Sequence, residues 1–190
     1  MRIGLFFGSF NPIHIGHLII ANWVLNETDL DKIWLVVSPQ NPFKAESDLL
    51  SEIDRLALVQ KAIMGDPRIV GSDIEFQLSK PSYTYRTLSL LKENYPGNTF
   101  FLIMGSDSFQ DLHKWKNFES IVSNHKILIF QRLGFDVTNN INAQIQILNA
   151  PILEISSTNI RHLIKIKKSI RYLVPDEVRE EIESKQYYKK

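Results

Sequence analysis

The hydrophobic residues of this chain fall in short runs, and many of these runs carry β-branched or aromatic side chains. Arg2–Phe7, Lys32–Ser38, Thr99–Met104 and Lys126–Gln131 have this character and predict buried strands. Ile69–Phe76 predicts another, interrupted at Gly71. Between the runs, apolar positions recur at helical spacing. One such segment begins near His14 and ends by Asn26. A second starts at Ser51, where Ser51-Glu52-Ile53-Asp54 resembles a capping box, and stops at Met64 before Gly65-Asp66-Pro67. Thr84–Tyr95 is a third, closed by Pro96-Gly97, and a short helix is expected after Gly105, where Ser106, Asp107 and Ser108 are all suitable N-cap residues.

Strand and helix in alternation predict a Rossmann-like, doubly wound α/β fold: a parallel sheet with helices on both faces. Ligands in such sheets bind beyond the carboxyl ends of the strands, at the topological switch point. Towards the end of the chain, Gln144–Leu148 and Pro151–Ile155 are candidate strands, Ser156–Ile166 a helix, Asp176–Lys185 a charged last helix, and the polar stretch Phe135–Asn142 a loop. No internal repeat, low-complexity tract or interdomain linker divides the sequence, so one domain over residues 1–190 is expected.

Composition adds mainly exclusions. Hydrophobic residues make up 44% of the chain and charged residues 23%, ordinary for a globular protein. The formal net charge is +1, so no global field draws in nucleic acid or membrane, and a bound anion must be held by locally arranged donors. The chain has no cysteine, which removes disulfides, thiolate nucleophiles and zinc–thiolate sites. Met1 leads straight into Ile3–Phe7 without a charged leader, and no run reaches the length of a membrane span; a cytoplasmic protein is expected.

The segment Gly8-Ser9-Phe10-Asn11-Pro12-Ile13-His14-Ile15-Gly16-His17 lies where the first strand gives way to the first helix. Gly8 permits close approach of backbone to a ligand, Pro12 stiffens the turn, and the helix start offers unpaired N–H groups and a positive dipole end. His14 and His17, three apart, are expected to point to one side of a first helical turn, where imidazole can donate to phosphate oxygens. Two histidines packing a helix start, or two ligands of a metal with no third ligand nearby in sequence, are the other readings of the same residues. Neither G-x-x-x-x-G-K-[ST] nor G-x-G-x-x-G occurs.

This segment resembles the first signature of the HxGH nucleotidyltransferase superfamily, and Ile155-Ser156-Ser157-Thr158-Asn159-Ile160-Arg161 resembles the second, Ile-Ser-Ser-Thr-x-x-Arg. Ser156 and Ser157 are good N-cap residues, so a second helix start can face the same phosphates, and Arg161, one turn in, can clamp a leaving pyrophosphate. Capping with a solvated arginine is the other reading. Over nearly its whole length the chain is also similar to the bacterial nicotinate-nucleotide adenylyltransferases. The segments that carry this likeness are Asn41-Pro42-Phe43-Lys44, Arg55 with its helix to Ile63, Lys80-Pro81-Ser82-Tyr83-Thr84 with Thr87-Leu88, and Gly105-Ser106-Asp107-Ser108-Phe109 through Trp115, Phe118 and Ile121.

The resemblance implies ATP and nicotinate mononucleotide as substrates, with Mg²⁺ bound mainly through ATP phosphates and no nucleic acid or membrane partner; a homo-oligomer is compatible with it. It implies an ATP side of Gly8, Ser9, Phe10, His14, His17, Gly105, Asp107, Ile155, Ser156, Ser157, Thr158 and Arg161, and an acceptor side of Lys44, Tyr83, Thr84, Trp115, Lys116 and Arg132. His14, His17, Arg161 and Lys44 are the residues expected to offset charge in the reaction. Asp107 can accept from ribose hydroxyls or cap its helix; Trp115 can stack on a pyridine ring or be an ordinary packed tryptophan; Lys44 can be a surface lysine. The acceptor phosphate, with a second pKa of about 6, is already a nucleophile at pH 7 and needs no general base. Phe7, Phe43 and Leu133 depart from the family pattern, which commonly has glycine, histidine and proline there. Phosphopantetheine and nicotinamide-mononucleotide adenylyltransferases, class I aminoacyl-tRNA synthetases and a non-catalytic nucleotide-binding module are the rival readings. The synthetases also need a Lys-Met-Ser-Lys-Ser type loop, which is absent.

Overall fold

A computed structural model describes residues 1–40 and 49–189. Six parallel strands form its sheet: β1 (Arg2–Gly8), β2 (Lys32–Val37), β3 (Ile69–Ser72), β4 (Thr99–Gly105), β5 (Ile127–Phe130) and β6 (Ile145–Leu148). Their order across the sheet is β3-β2-β1-β4-β5-β6. The order reverses between β1 and β4, whose registers pair Phe6 with Ile103 and leave Gly8 and Gly105 at the carboxyl edge. That is the switch point where the alternating pattern predicts a ligand.

The helices are α1 (Ile15–Glu27), α2 (Glu52–Ala62), α3 (Thr84–Asn94), α4 (Ser106–Gln110), α5 (Phe118–Asn124), α6 (Ser157–Lys165) and α7 (Asp176–Ser184). They divide between the two faces because β1 and its neighbours are apolar on both. Phe6, Ile33, Leu35 and Ile103 pack against Ile20, Val24, Leu58, Val59, Ile160, Ile164, Val178 and Ile182 of α1, α2, α6 and α7. Ile3, Leu5, Val36 and Leu102 pack on the other side with Leu88, Leu91, Phe109 and Ile121 of α3, α4 and α5. No helix among the described residues is long and apolar enough to cross a membrane.

Several sequence expectations are corrected. The strand expected over Ile69–Phe76 stops at Ser72 and gives way to a 3-10 turn, Ile74–Gln77. The reason is Glu75: its buried carboxylate takes hydrogen bonds from the hydroxyls of Ser82 and Thr87, both at 2.7 Å, so this backbone bends to the α3 side. Pro151–Ile155 forms no strand; it leaves β6 and runs along the wall of the central cavity. Gly105, and none of Ser106, Asp107 and Ser108, is the N-cap of α4. At the start of α2, Ser51 Oγ accepts from the Asp54 N–H at 3.1 Å, and instead of reaching back to the Ser51 backbone the Asp54 carboxylate accepts from the Ser51 hydroxyl at 2.7 Å. The short helix α5 follows Asn117, which stands in the left-handed region at φ 58° and so lacks an ordinary N-cap signature.

Beneath the carboxyl ends of β1 and β2 lies Arg55, fully buried on the first turns of α2. Its guanidinium donates to four main-chain carbonyls: Leu50 (2.9 Å), Ser9 (2.7 Å), Ser38 (2.8 Å) and Pro39 (2.9 Å). A guanidinium can do this because its donors form a rigid planar fork, which an ammonium lacks. Replacing Arg55 with leucine leaves these acceptors without their donor, and is expected to destabilise the protein by about 3–5 kcal/mol. Lysine in its place should cost less than leucine and more than nothing. Urea denaturation of the three proteins checks this; a loss below about 1 kcal/mol for Arg55→Leu contradicts the bridging role.

Candidate active site

At the switch point opens a cavity of about 1060 Å³. Its ATP-side expectations are all on the wall: Gly8, Ser9, Phe10, His14, His17, Gly105, Asp107, Ile155, Ser156, Ser157, Thr158 and Arg161. So are the acceptor-side residues Tyr83, Thr84, Trp115, Lys116 and Arg132. Lys44, with Asn41, Pro42 and Phe43, lies outside the described residues.

The histidine pair is arranged differently from the helical turn that its spacing suggests. His14 is extended (φ −147°, ψ 169°) and serves as the N-cap of α1, while His17 is the third helical residue. The His14 backbone N–H donates to His17 Nδ1 at 3.3 Å, and the two rings stack with centroids 3.7 Å apart. Accepting at Nδ1 leaves the proton of neutral His17 on Nε2. Phe10 and Phe6 meet the His17 ring edge-on at 5.0 and 6.0 Å. Gly16 lets the stack sit close: a Cβ there would lie 3.0 Å from His14 Nδ1, so the ring would have to shift by a few tenths of an ångström. Phe10 itself stands in the left-handed region at φ 44°, rare for a bulky residue and held here by full burial. The first N–H of α1 is also not free for an anion, since Ile15 donates to the Leu173 carbonyl at 2.9 Å.

The second motif closes on the first through its side chains. Ser156 caps α6 by accepting from Asn159 N at 3.2 Å. Ser157 Oγ donates to the Pro12 carbonyl at 2.9 Å, and Arg161 Nη1 to the Asn11 carbonyl at 2.9 Å. Arg161 is therefore half-committed to the loop of the first motif and is no solvated arginine, while its buried Nε has no hydrogen-bond partner among the described residues. Ser157, placed on the ATP side by the resemblance, thus donates its hydroxyl hydrogen bond to protein.

Across the cavity, Asp107 does not cap α4; its Oδ2 lies 3.8 Å from Arg132 Nε, and its Oδ1 lies where a Cβ on Gly105 would fall. Ser106, fully buried, accepts from the Arg132 backbone N–H at 2.9 Å. Tyr83 is the N-cap of α3 and makes no side-chain cap bond. Lys116 Nζ sits 4.8 Å from the Tyr83 ring centroid, which joins the two halves of the acceptor side. Trp115 is partly buried against the core around Leu112 and Ile121, so it packs and lines the cavity at once.

Sequence reasoning assigned no role to Asn11, Glu75, Ser82 or Lys114, all of which line the same cavity. Asn11 stood inside the first motif and could have been found there. Glu75 was hidden in a run with strand character and carried no signal of its own.

A cytidylyltransferase-like family model matches residues 5–163. Among relatives, a protein of Flavobacterium psychrophilum named "Probable nicotinate-nucleotide adenylyltransferase" is 51% identical over 193 residues, covering 100% of each chain. One of the same name from Cytophaga hutchinsonii is 50% identical over 99% of this chain and 98% of its own. Among solved structures, Plasmodium falciparum nicotinic acid mononucleotide adenylyltransferase complexed with NaAD has the same fold, with a TM-score of 0.84 at 24% identity over 98% of this chain and 97% of that one.

Burial, and secondarily the positive charge of Arg132, lowers the pKa of His14 from 6.5 to about 4. His14 is thus neutral at pH 7. Between pH 6.5 and about 4 the unfolded chain binds a proton at this position that the folded protein refuses, so stability falls as pH drops through that window and then levels off. The loss amounts to about 3 kcal/mol. His125, also lowered by burial, adds to the slope with the same sign. In urea titrations at pH 7 and pH 4, His14→Asn is expected to lose about 3 kcal/mol less than the wild type; parallel losses overturn the assignment.

Proposed function

Because the chain belongs to the cytidylyltransferase-like family, as a nicotinate-nucleotide adenylyltransferase, we propose that its cavity binds ATP against the two joined motifs and nicotinate mononucleotide against the opposite wall. The enzyme transfers AMP from ATP to nicotinate mononucleotide, giving nicotinate adenine dinucleotide and pyrophosphate in NAD biosynthesis. The observation that carries the site assignment is the junction of the motifs: Arg161 and Ser157 hold the Asn11 and Pro12 carbonyls beside the stacked His14 and His17.

In this reading an oxygen of the acceptor phosphate attacks the α-phosphorus of ATP as the bond to the β-phosphate oxygen breaks. No proton has to move, so no base is needed. The work of the protein is alignment and charge compensation. His17 offers Nε2–H to the phosphates; His14, kept neutral, acts as a dipolar donor; Arg161 receives the leaving pyrophosphate with the donors left over from Asn11. Lys44 and Arg132 steady the acceptor phosphate. Gly8, Ser9, Phe10, Gly105, Asp107 and Ile155–Thr158 complete the nucleotide side, with Asp107 available to ribose hydroxyls. At the acceptor end the uncapped start of α3 at Tyr83 and Thr84, with the backbone at Lys116, suits a carboxylate, and Trp115 gives a face to the pyridinium. An amide would present its NH₂ to the same donors and leave them unpaired.

Among the described residues no three His, Cys, Asp or Glu side chains gather to hold a metal. Among the polar side chains on the wall hydroxyls, imidazoles and cations predominate, a donor set that suits Mg²⁺ carried on ATP phosphates and water. When bound, the ion offsets charge on the transferring phosphates. Action as one transferase domain over residues 1–190, in the cytoplasm, belongs to the same proposal.

Pyrophosphate release from ATP and Mg²⁺ with nicotinate mononucleotide, nicotinamide mononucleotide or phosphopantetheine tests the reading. Release should be fastest with the first; preference for phosphopantetheine defeats the acceptor assignment. His17→Ala should lower kcat about 100-fold while the Kd for ATP changes less than about threefold. An unchanged kcat removes His17 from the mechanism.

A further inference from the structure

The last residues of the chain reach the site from the far side of the fold. Beyond α7, the Tyr188 hydroxyl donates to Asn11 Oδ1 at 2.8 Å, in the interior and 177 positions away in sequence. The same oxygen accepts the Leu50 backbone N–H at 3.2 Å, just after the segment that contains Lys44. The Asn11 carbonyl, in turn, is the acceptor for Arg161. One asparagine thus joins the C-terminal segment, the first motif, the second motif and the start of α2.

This C-terminal segment is built rather than frayed. Tyr188 is 8% exposed and belongs to the α1/α7 core, and its neighbour Tyr187 donates to Asp54 Oδ1 at 2.8 Å. Gln186 and Tyr188 both stand in the left-handed region, at φ 58° and 62°. Gln186, exposed, is the left-handed residue that ends α7, where the Tyr187 N–H returns to the Ile182 carbonyl at 3.0 Å; Tyr188 holds the conformation in the interior. A phenylalanine would fill the same space as Tyr188 and lack only the donor. The hydroxyl therefore contributes something separable from packing: with the Leu50 N–H, it holds the side-chain oxygen of Asn11.

Building on the ATP-binding reading above, we propose that Tyr188 is a positioning residue for ATP: through Asn11 its hydroxyl fixes the loop that carries the phosphate-binding groups and aligns Arg161. Without that hydroxyl, Asn11 Oδ1 loses one of its two donors among the described residues, the carbonyl that anchors Arg161 drifts with it, and the ATP side loosens while the acceptor wall across the cavity is untouched.

The experiment compares Tyr188→Phe, Tyr187→Phe, Asn11→Ala and the double variant Tyr188→Phe/Asn11→Ala by calorimetric ATP binding, with thermal unfolding and steady-state kinetics beside it. Tyr188→Phe should raise the Kd and KM for ATP about three- to tenfold, leave the KM for nicotinate mononucleotide within about twofold and unfold cooperatively. Tyr187→Phe, which loses only the Asp54 bond, should bind ATP as the wild type does. In the Asn11→Ala background the Tyr188 change should have no further effect on ATP binding, because the two residues act as one unit. Wild-type ATP affinity in Tyr188→Phe, equal losses for ATP and acceptor, or additive losses in the double variant overturn the proposal. A wild-type protein that binds ATP but transfers no AMP instead defeats the activity reading, and the calorimetric comparison still decides the role of Tyr188.

Discussion

The buried guanidinium of Arg55 is the constraint on which the site depends. Two strands that end side by side, β1 and β2, release their chains into loops whose carbonyls have no partner in the sheet, and burial without a donor would cost more than the sheet can offset. Arg55 satisfies Ser9, Ser38, Pro39 and Leu50 together. Among the described residues no carboxylate stands within ion-pair distance of it, so the carbonyl dipoles carry the solvation of its charge. Burial lowers its pKa, yet a guanidinium starts so high that it remains a cation. Ser9 lines the cavity, and its carbonyl draws this positive charge close beneath the cavity wall.

Above Arg55 the same logic repeats at Asn11. Its side-chain oxygen gathers Tyr188 and Leu50, and its carbonyl gathers Arg161. With Ser157 on the Pro12 carbonyl, the two motifs form one hydrogen-bonded body. In the proposed binding mode a phosphate meets donors whose orientation is already set, the condition under which electrostatic stabilisation is most effective. The neutral state of His14 fits this order: stacked on His17, buried and within the field of Arg132, it adds a dipole where a second positive charge would be repelled.

Much of this was legible in the residues. Short β-branched runs located β1, β2, β4 and β5 to within a residue, because a strand buried on both faces must be apolar throughout, and the edge strand β6 followed from the alternation of Gln and Ile over Gln144–Leu148. Gly8–His17 and Ser156–Arg161 announced a phosphate site, and all the expected site residues among the described ones line a single cavity. Two of the misreadings share a cause. Glu75 breaks its strand where the hydroxyls of Ser82, in the loop before α3, and Thr87, in α3, donate to its carboxylate, and Asp107, on the first turn of α4, has Arg132 as its neighbour at 3.8 Å. Each is a polar side chain whose partner comes from another element, and local propensity cannot report on such partners.

By itself, then, the sequence determined the alternation of strands and helices, the switch-point location and the residue types of both motifs, since these follow from periodicity and from side-chain chemistry close in the chain. Only the tertiary structure decided that His14 caps a helix and stacks on His17, that Arg161 spends part of its fork on a carbonyl, that Arg55 serves four loops, and that Tyr188 reaches Asn11. Those outcomes depend on which buried acceptor finds which donor once the sheet has closed, and that pairing exists nowhere along the chain until distant segments meet.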